Sequence, residues 1–352
     1  MNVGAEIAWE QRFNHDELSA IQHAINLKLQ DEAAFWAEYQ NEPLPTDIPD
    51  ENELTADQIA DKTNGLAQGK VPLGCQHLTL FIDVQQKLLF YVVTAWSDEF
   101  SGSVVDYGAY PDPKRWYFTL RDVTNTLTLV APGTGVEGAI YAALQTLTGN
   151  LLEREWHRED GAMMKIDRCL IDANWGLSTD IVYQFCRQSP HAAILLPSHG
   201  RFVGASSLPM GQYQRKPGDR TGLNWRIPSV MGKRAVRHVT YDTNFWKSFV
   251  HARLSVATGD KGCLALFGNK PERHRLFAEH LTAEYRVRTQ GRGRTVDEWK
   301  ARPNQPDNHW LDGIVGCAVA ASIQGAALFG NDGQPIPTGK RLKLSEIKRR
   351  RR

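Results

Sequence analysis

Two aspartates, each closing an apolar run, are the residues of this chain best placed to do chemistry. They are Asp83 in His77-Leu-Thr-Leu-Phe-Ile-Asp-Val-Gln85 and Asp172 in Cys169-Leu-Ile-Asp-Ala-Asn-Trp-Gly176. Leu78, Leu80 and Ile82 alternate with Thr79, Phe81 and Asp83, and a side-chain period of two puts the sets on opposite faces of a sheet. Both sets are largely apolar, which fits a strand covered on both sides. A carboxylate at the end of such a strand loses water and needs a cation, hydrogen-bond donors or a metal ion. Taken singly, such an aspartate also fits a strand-ending turn. A third group is the pair His309 and Asp312 in Asn308-His-Trp-Leu-Asp312. Three residues apart on a helix, they project from one side and can share a ligand. Acids in a first turn also favour the helix dipole with no ligand present.

The elements around these residues decide whether they meet. After the Asp83 strand come Leu88–Trp96 and Ser103–Gly108, joined by short connections that imply an antiparallel meander of three. A helix is expected over Val136–Leu147, a strand over Ile166–Asp172, a helix over Ser178–Arg187 and a strand over Ala192–Leu196. The order is β-β-β-α-β-α-β, the connectivity of the ribonuclease H-like fold, a mixed sheet flanked by helices. In that fold the first and fourth strands lie side by side, so Asp83 and Asp172 share one sheet edge. Residues 200 to about 300 form an extension rich in Arg and Gly, with a strand near Val236–Tyr241, a helix over Asn244–Leu254, a strand over Cys263–Phe267 and a helix after Pro271. The last helix opens at Pro306-Asp-Asn-His309, with Asp307 or Asn308 as its expected cap.

The chain of 352 residues divides, on this reading, into an arm and linker over 1–70, a ribonuclease H-like domain over 71–325 and a tail over 326–352. The arm carries a helical pattern from Asp16 to about Gln40. The tail, from Lys340, holds eight basic residues and one acid, a solvated run suited to polyanions. With 41 basic and 40 acidic residues the net charge is only +1, which excludes a uniformly basic coat but not a local basic groove. Five widely spaced cysteines without a Cys-x-x-Cys pair point to a reduced, cytoplasmic protein and away from zinc. No apolar run approaches the roughly 20 residues that span a bilayer.

Four stretches together resemble the carboxy-terminal nuclease half of the phage terminase large subunit, of the lambda-like type. They are Phe35-Trp-Ala-Glu-Tyr-Gln-Asn-Glu-Pro43, Phe81-Ile-Asp-Val-Gln85, Ile171-Asp172 with Val182-Tyr-Gln-Phe-Cys186, and Asn308-His-Trp-Leu-Asp312 with its Ala-rich helix. Asp242–Lys247, His251–Leu254 and Val296–Lys300 are similar too, so the resemblance spans roughly residues 30 to 325. It implies a metal-dependent endonuclease that cuts concatemeric viral double-stranded DNA. The terminase small subunit, the portal and a packaging ATPase domain are its implied partners. Full-length terminases carry that ATPase before the nuclease. The nearest phosphate-loop match here, Gly133-Thr-Gly-Val-Glu-Gly138, is followed by Ala139-Ile140 and lacks the lysine and hydroxyl, so it is expected to be a helix start. An excised domain or a separately encoded fragment is therefore expected.

The resemblance also assigns roles. Asp83 corresponds to the first-strand metal ligand, Asp172 to the fourth-strand ligand and Asp312 to the ligand on the closing helix. Many terminases place an Asp-Asp pair one turn earlier on this helix, where Asn308-His309 stands here, so His309 is a substitute ligand or a DNA-positioning group. Two Mg²⁺ or Mn²⁺ ions suit such hard oxygen donors. Without metal, three converging carboxylates repel one another and raise their own pKa values. Arg201, Arg215, Lys216, Lys247 and Arg253 are the expected phosphate contacts. A ribonuclease H-like resolvase or transposase, and a non-catalytic packaging adaptor, are the rival readings. His199 is a further candidate base or a structural loop histidine, and Trp175 is expected in the core.

Overall fold

The computed structural model describes residues 7, 9–14, 16–30, 35, 53–230, 236–303, 305 and 307–327. The chain divides into two units, Met1–Glu53 and Leu54–Arg352. In the first, a helix covers Ala20–Gln30, preceded by Glu17, which accepts from Asn26 and pairs with His23. The expected continuation of that helix to Gln40, Lys233 and Arg234 of the basic extension, and the basic tail lie outside the described residues.

In the second unit, alternating aliphatic and aromatic residues build strands β1 (His77–Val84), β2 (Leu89–Trp96) and β3 (Gly102–Tyr110), an antiparallel meander. Then follow α1 (Gly135–Leu152), β4 (Arg168–Asp172), α2 (Gly176–Gln188) and β5 (Leu195–Arg201). Strand β4 pairs parallel with β1 on one side and with β5 on the other. The order β3-β2-β1-β4-β5 with only β2 reversed is the ribonuclease H-like sheet. It bears out the expected neighbouring of the first and fourth strands.

The basic extension is not a peripheral appendage. Strands β6 (Arg220–Gly222), β7 (Trp225–Ile227) and β8 (Val239–Asp242) continue the sheet beyond β5, and β9 (Leu264–Leu266) joins its other edge beside β3, so nine strands form one sheet. Helix α3 (Thr243–Ser255) starts directly after β8, with Asp242 as N-cap accepting from the Phe245 amide. Then come α4 (Arg275–Leu281), the hairpin β10 (Glu284–Gly291) and β11 (Arg294–Ala301), and α5 (His309–Gln324).

The two-residue period of β1 separates two cores. Leu78, Leu80 and Ile82 pack with α1 and α2 residues such as Ile140, Leu144 and Phe185. Phe81 packs on the other face with Leu311 and Ile314 of α5 and Trp246 of α3. A helix apolar nearly all round belongs in such an interior, and α5 is buried along almost its whole length. Burying Leu311 and Ile314 completely stabilises the fold by roughly 1.5–3 kcal/mol each. Two glycines let α5 lie close on the sheet: a Cβ at Gly316 would collide with the Phe81 ring, and one at Gly313 with Val92. Among the described residues no helix is long and apolar enough to cross a membrane, and all five cysteines are buried free thiols.

Two expectations change. Residues 54–70, read as linker with a short helix-like piece after Thr55, belong to the larger unit, because the capped helix Ala56–Ala60 buries Ile59 in the core and Thr63 bridges to Leu266. The β10–β11 hairpin lies where no element was expected. At the start of α5 neither proposed side chain caps the helix: Asn308 donates to Glu284 and Asp307 accepts from the Leu120 amide.

Candidate active site

Register brings the two strand-end acids level. Ile82 of β1 faces Ile171 of the parallel β4, so Asp83 and Asp172 follow side by side, about one strand spacing of 4.8 Å apart along the sheet. Both side chains fall on the face covered by α5, since Phe81 and Leu170, two residues earlier in each strand, pack there. Helix α5 runs back along β1: Thr79 donates its hydroxyl to the Cys317 carbonyl, and His309 reaches Asp83. Asp312, one turn in, completes the group. Of the four residues carried over as metal ligands, the fold therefore brings all four to one sheet edge.

Each buried carboxylate has its own polar partners. Asp83 is 4% exposed, and its Oδ2 lies 2.7 Å from Nδ1 of His309. The Gln85 amide donates to both Asp83 oxygens, at 3.2 and 3.0 Å. Burial works against the His309 imidazolium, but the hydrogen bond and charge of Asp83 outweigh it, so the His309 pKa is raised. Its other nitrogen, Nε2, is buried without a hydrogen-bond partner, 3.8 Å from Asp307. Asp312 lies 3.2 Å from Nζ of Lys247, which in turn touches Glu284 at 2.5 Å. Burial disfavours the Lys247 ammonium, yet those two carboxylates hold its pKa above the usual lysine value.

Among the described residues Asp172 has no such cation. Burial, together with the charges of Asp83 and Asp312, pushes its pKa up to about 8. Burial and the same three carboxylates also push the buried Tyr241 hydroxyl well above its ordinary value, so all three acids bear on one point in front of β8. Three mutually repelling oxygen donors, one keeping its proton past neutrality, form a donor set that fits a hard divalent cation. Among the described residues no three His, Cys, Asp or Glu side chains stand as a preformed metal cage. Asp83 is instead engaged with His309, and Asp312 with Lys247.

The expected phosphate contacts separate. Arg201 is exposed at the end of β5, beside a cleft of about 390 Å³ shared with His199 and His238. Arg215 and Lys216 are exposed on the loop before β6, closed by Asp219 accepting from the Lys216 amide. Lys247 does not belong with them: it is 8% exposed and sits inside the site against Asp312. Arg253 lies two turns further along α3, half-buried over the Phe249 ring and near Gly262, at the opposite end of the sheet from Asp83. His199 points to the face away from the carboxylates, holding Tyr183 with Nε2 and Asn174 with Nδ1, and burial lowers its pKa to about 4. Trp175 packs against the α1–α2 core as expected. Sequence reading missed Gln85, Glu284 and Tyr241. Only Gln85, two residues after Asp83 in the quoted stretch, carried a positional signal.

Comparison with known proteins identifies a family. The family described as terminase large subunit gpA, endonuclease domain, matches residues 30–331. No curated protein matches the chain. A solved structure of a lysine-to-alanine mutant nuclease domain of the large terminase subunit gp2 of bacterial virus Sf6, with manganese, is similar at 13% identity and a TM-score of 0.37, covering 75% of this chain and 97% of that one. With the family match running over most of its length, the chain belongs to the terminase large subunit gpA endonuclease-domain family.

Proposed function

We propose that this chain is the divalent-metal-dependent endonuclease that cuts concatemeric viral double-stranded DNA during packaging. The observation that carries the reading is the convergence of Asp83, Asp172 and Asp312, with Asp172 left without a cation and its pKa raised to about 8. Asp83, Asp172 and Asp312 would hold two Mg²⁺ or Mn²⁺ ions. Bound there, the metal would activate water and stabilise the leaving oxygen of the phosphodiester.

The chain's own groups set up that chemistry. His309 and Gln85 donate to Asp83 and fix its carboxylate in rotation. Lys247 balances the half-buried Asp312 and the buried Glu284, so two neighbouring acids persist without unfolding the edge. Arg201, Arg215 and Lys216 position the duplex through its phosphates without reading sequence. The small subunit, portal and packaging ATPase domain present the DNA to this edge.

Cleavage of supercoiled plasmid with Mn²⁺, Mg²⁺ or EDTA tests the reading, comparing wild type with Asp83→Ala and Asp172→Ala at matched circular dichroism. Nicking and linearisation that need metal and vanish in both variants are expected. Cleavage that survives both substitutions, or a folded, metal-supplied wild type that never cuts, would sink it and favour a non-catalytic adaptor.

A further inference from the structure

A second surface on the same sheet edge is built for nucleic acid, and it involves none of the residues assigned above. Register places it: Asp83 faces Phe90 of β2, and Phe90 faces Ala109 of β3, so Ala109 stands two strand spacings, about 10 Å, from the strand-end acid. Among the described residues, β9 pairs with 102–104 of β3 and no other strand pairs along that edge. There a cleft of about 560 Å³ opens at the sheet margin, lined by Tyr91, Tyr107, Lys114, Arg115, Trp116 and Arg273. Trp116 is 79% exposed, and the Arg273 guanidinium lies over its ring at 5.5 Å.

This loop is anchored to the active site. Phe118, two residues after Trp116, stacks on Phe90, and Phe90 stacks on His309 at 4.4 Å between ring centres. Leu120 donates its amide to Asp307, and the Tyr117 hydroxyl donates to Glu279. A large apolar ring is thus held out in water on a fixed support, between cations. Asp112 lines the cleft as well, but it is paired with Lys114. Charge of this sign suits phosphates, and an exposed indole beside it suits a base face. Base faces are hidden within an intact duplex, so the ring selects unpaired nucleotides.

We infer that this cleft holds a single strand of DNA flanking the cut, its phosphates on Arg115 and Arg273 and one unpaired base stacked on Trp116. The inference rests on the nuclease reading only for the identity of the nucleic acid. Its lining starts at Ala109, about 10 Å from Asp83, so the cleft begins within a few nucleotides of the cut. It would retain a splayed end once the strand is broken.

The test is fluorescence anisotropy of a labelled short oligothymidine and of a duplex of equal length, in EDTA, so that no cleavage intervenes. Trp116→Ala is expected to weaken oligothymidine binding about tenfold, from the loss of one stacked base, with duplex binding changed far less. Trp116→Phe restores most of the affinity, and Arg115→Glu with Arg273→Glu flattens its salt dependence. Unchanged oligothymidine affinity in Trp116→Ala overturns the inference, and is the result expected if a protein partner covers the ring. Equal weakening on duplex and single strand overturns it as well. Because binding is read without metal, a wild type that binds as described yet cuts no plasmid defeats the nuclease reading and leaves the cleft standing.

Discussion

The two sides of the active site solve the same electrostatic problem differently. On one side Asp83 faces His309, whose charge can be withdrawn by deprotonation; on the other, Asp312 and Glu284 face Lys247, whose charge is permanent in the working pH range. Between them Asp172 has no cation among the described residues, and burial with the neighbouring charges pushes its pKa up to about 8. The contrast teaches which position is reserved. A carboxylate that already faces a lysine has its counter-charge settled within the fold, even where it would also serve as a ligand, whereas on the proposed function an unmatched one beside two others would take its counter-charge from a cation in solution.

Substitutions can break that contrast. The largest expected effect is on Asp83 and Asp172: replacement of either by Ala should lower plasmid cleavage by at least about a thousandfold, a loss of roughly 4 kcal/mol of transition-state stabilisation. Lys247→Ala is expected to act first on the fold, since it strands the buried Glu284 and the half-buried Asp312. A stability loss of about 3–5 kcal/mol, read by urea unfolding, is the measure, and Lys247→Met should be no milder. If Lys247→Ala unfolds like wild type, the settled-pair account of that side is wrong. His309→Gln keeps a donor near Asp83 and should cost about 10–100-fold in Mn²⁺ affinity, measured by calorimetry, while leaving stability nearly intact.

A further effect is in pH. Asp172 has a folded pKa of about 8 against an ordinary value of 3.8. The unfolded chain therefore gives up this proton first, and metal-free stability should fall as pH rises from about 4 to about 8, then level off. A cation needs the ionised form, so the rise in melting temperature on adding Mn²⁺ should grow over the same interval. A metal-induced shift independent of pH would count against Asp172 as a ligand.

Much of this site was legible before any coordinates because strands and helices repeat simply. The alternation in β1 puts Asp83 on the side of Phe81, and the three-residue spacing puts His309 and Asp312 together. Lys247 was misplaced because a lysine on a helix after an Arg-rich segment reads as solvent-facing. Its partner Glu284 lies 37 residues later, at the mouth of a hairpin rich in Arg, Gly and Thr. Such a long-range pairing leaves no local pattern. The hairpin itself did leave one, Gly291-Arg292-Gly293 between alternating residues, with Arg292 in the left-handed region that such turns require. Asn308 and Asp307 looked like caps because their residue types favour capping. Glu284 and Leu120, distant in sequence, compete for those side chains.

The glycines of α5 bear on all of this. Gly313 and Gly316 touch no acid, yet they set how near the helix can come to β1 and β2, and so the clearance between Asp312 and the strand ends. A methyl group added at Gly316 would have to displace Phe81, two residues before Asp83, or lift the helix bodily. The gauge of the catalytic gap is thus written in residues that have no side chain at all.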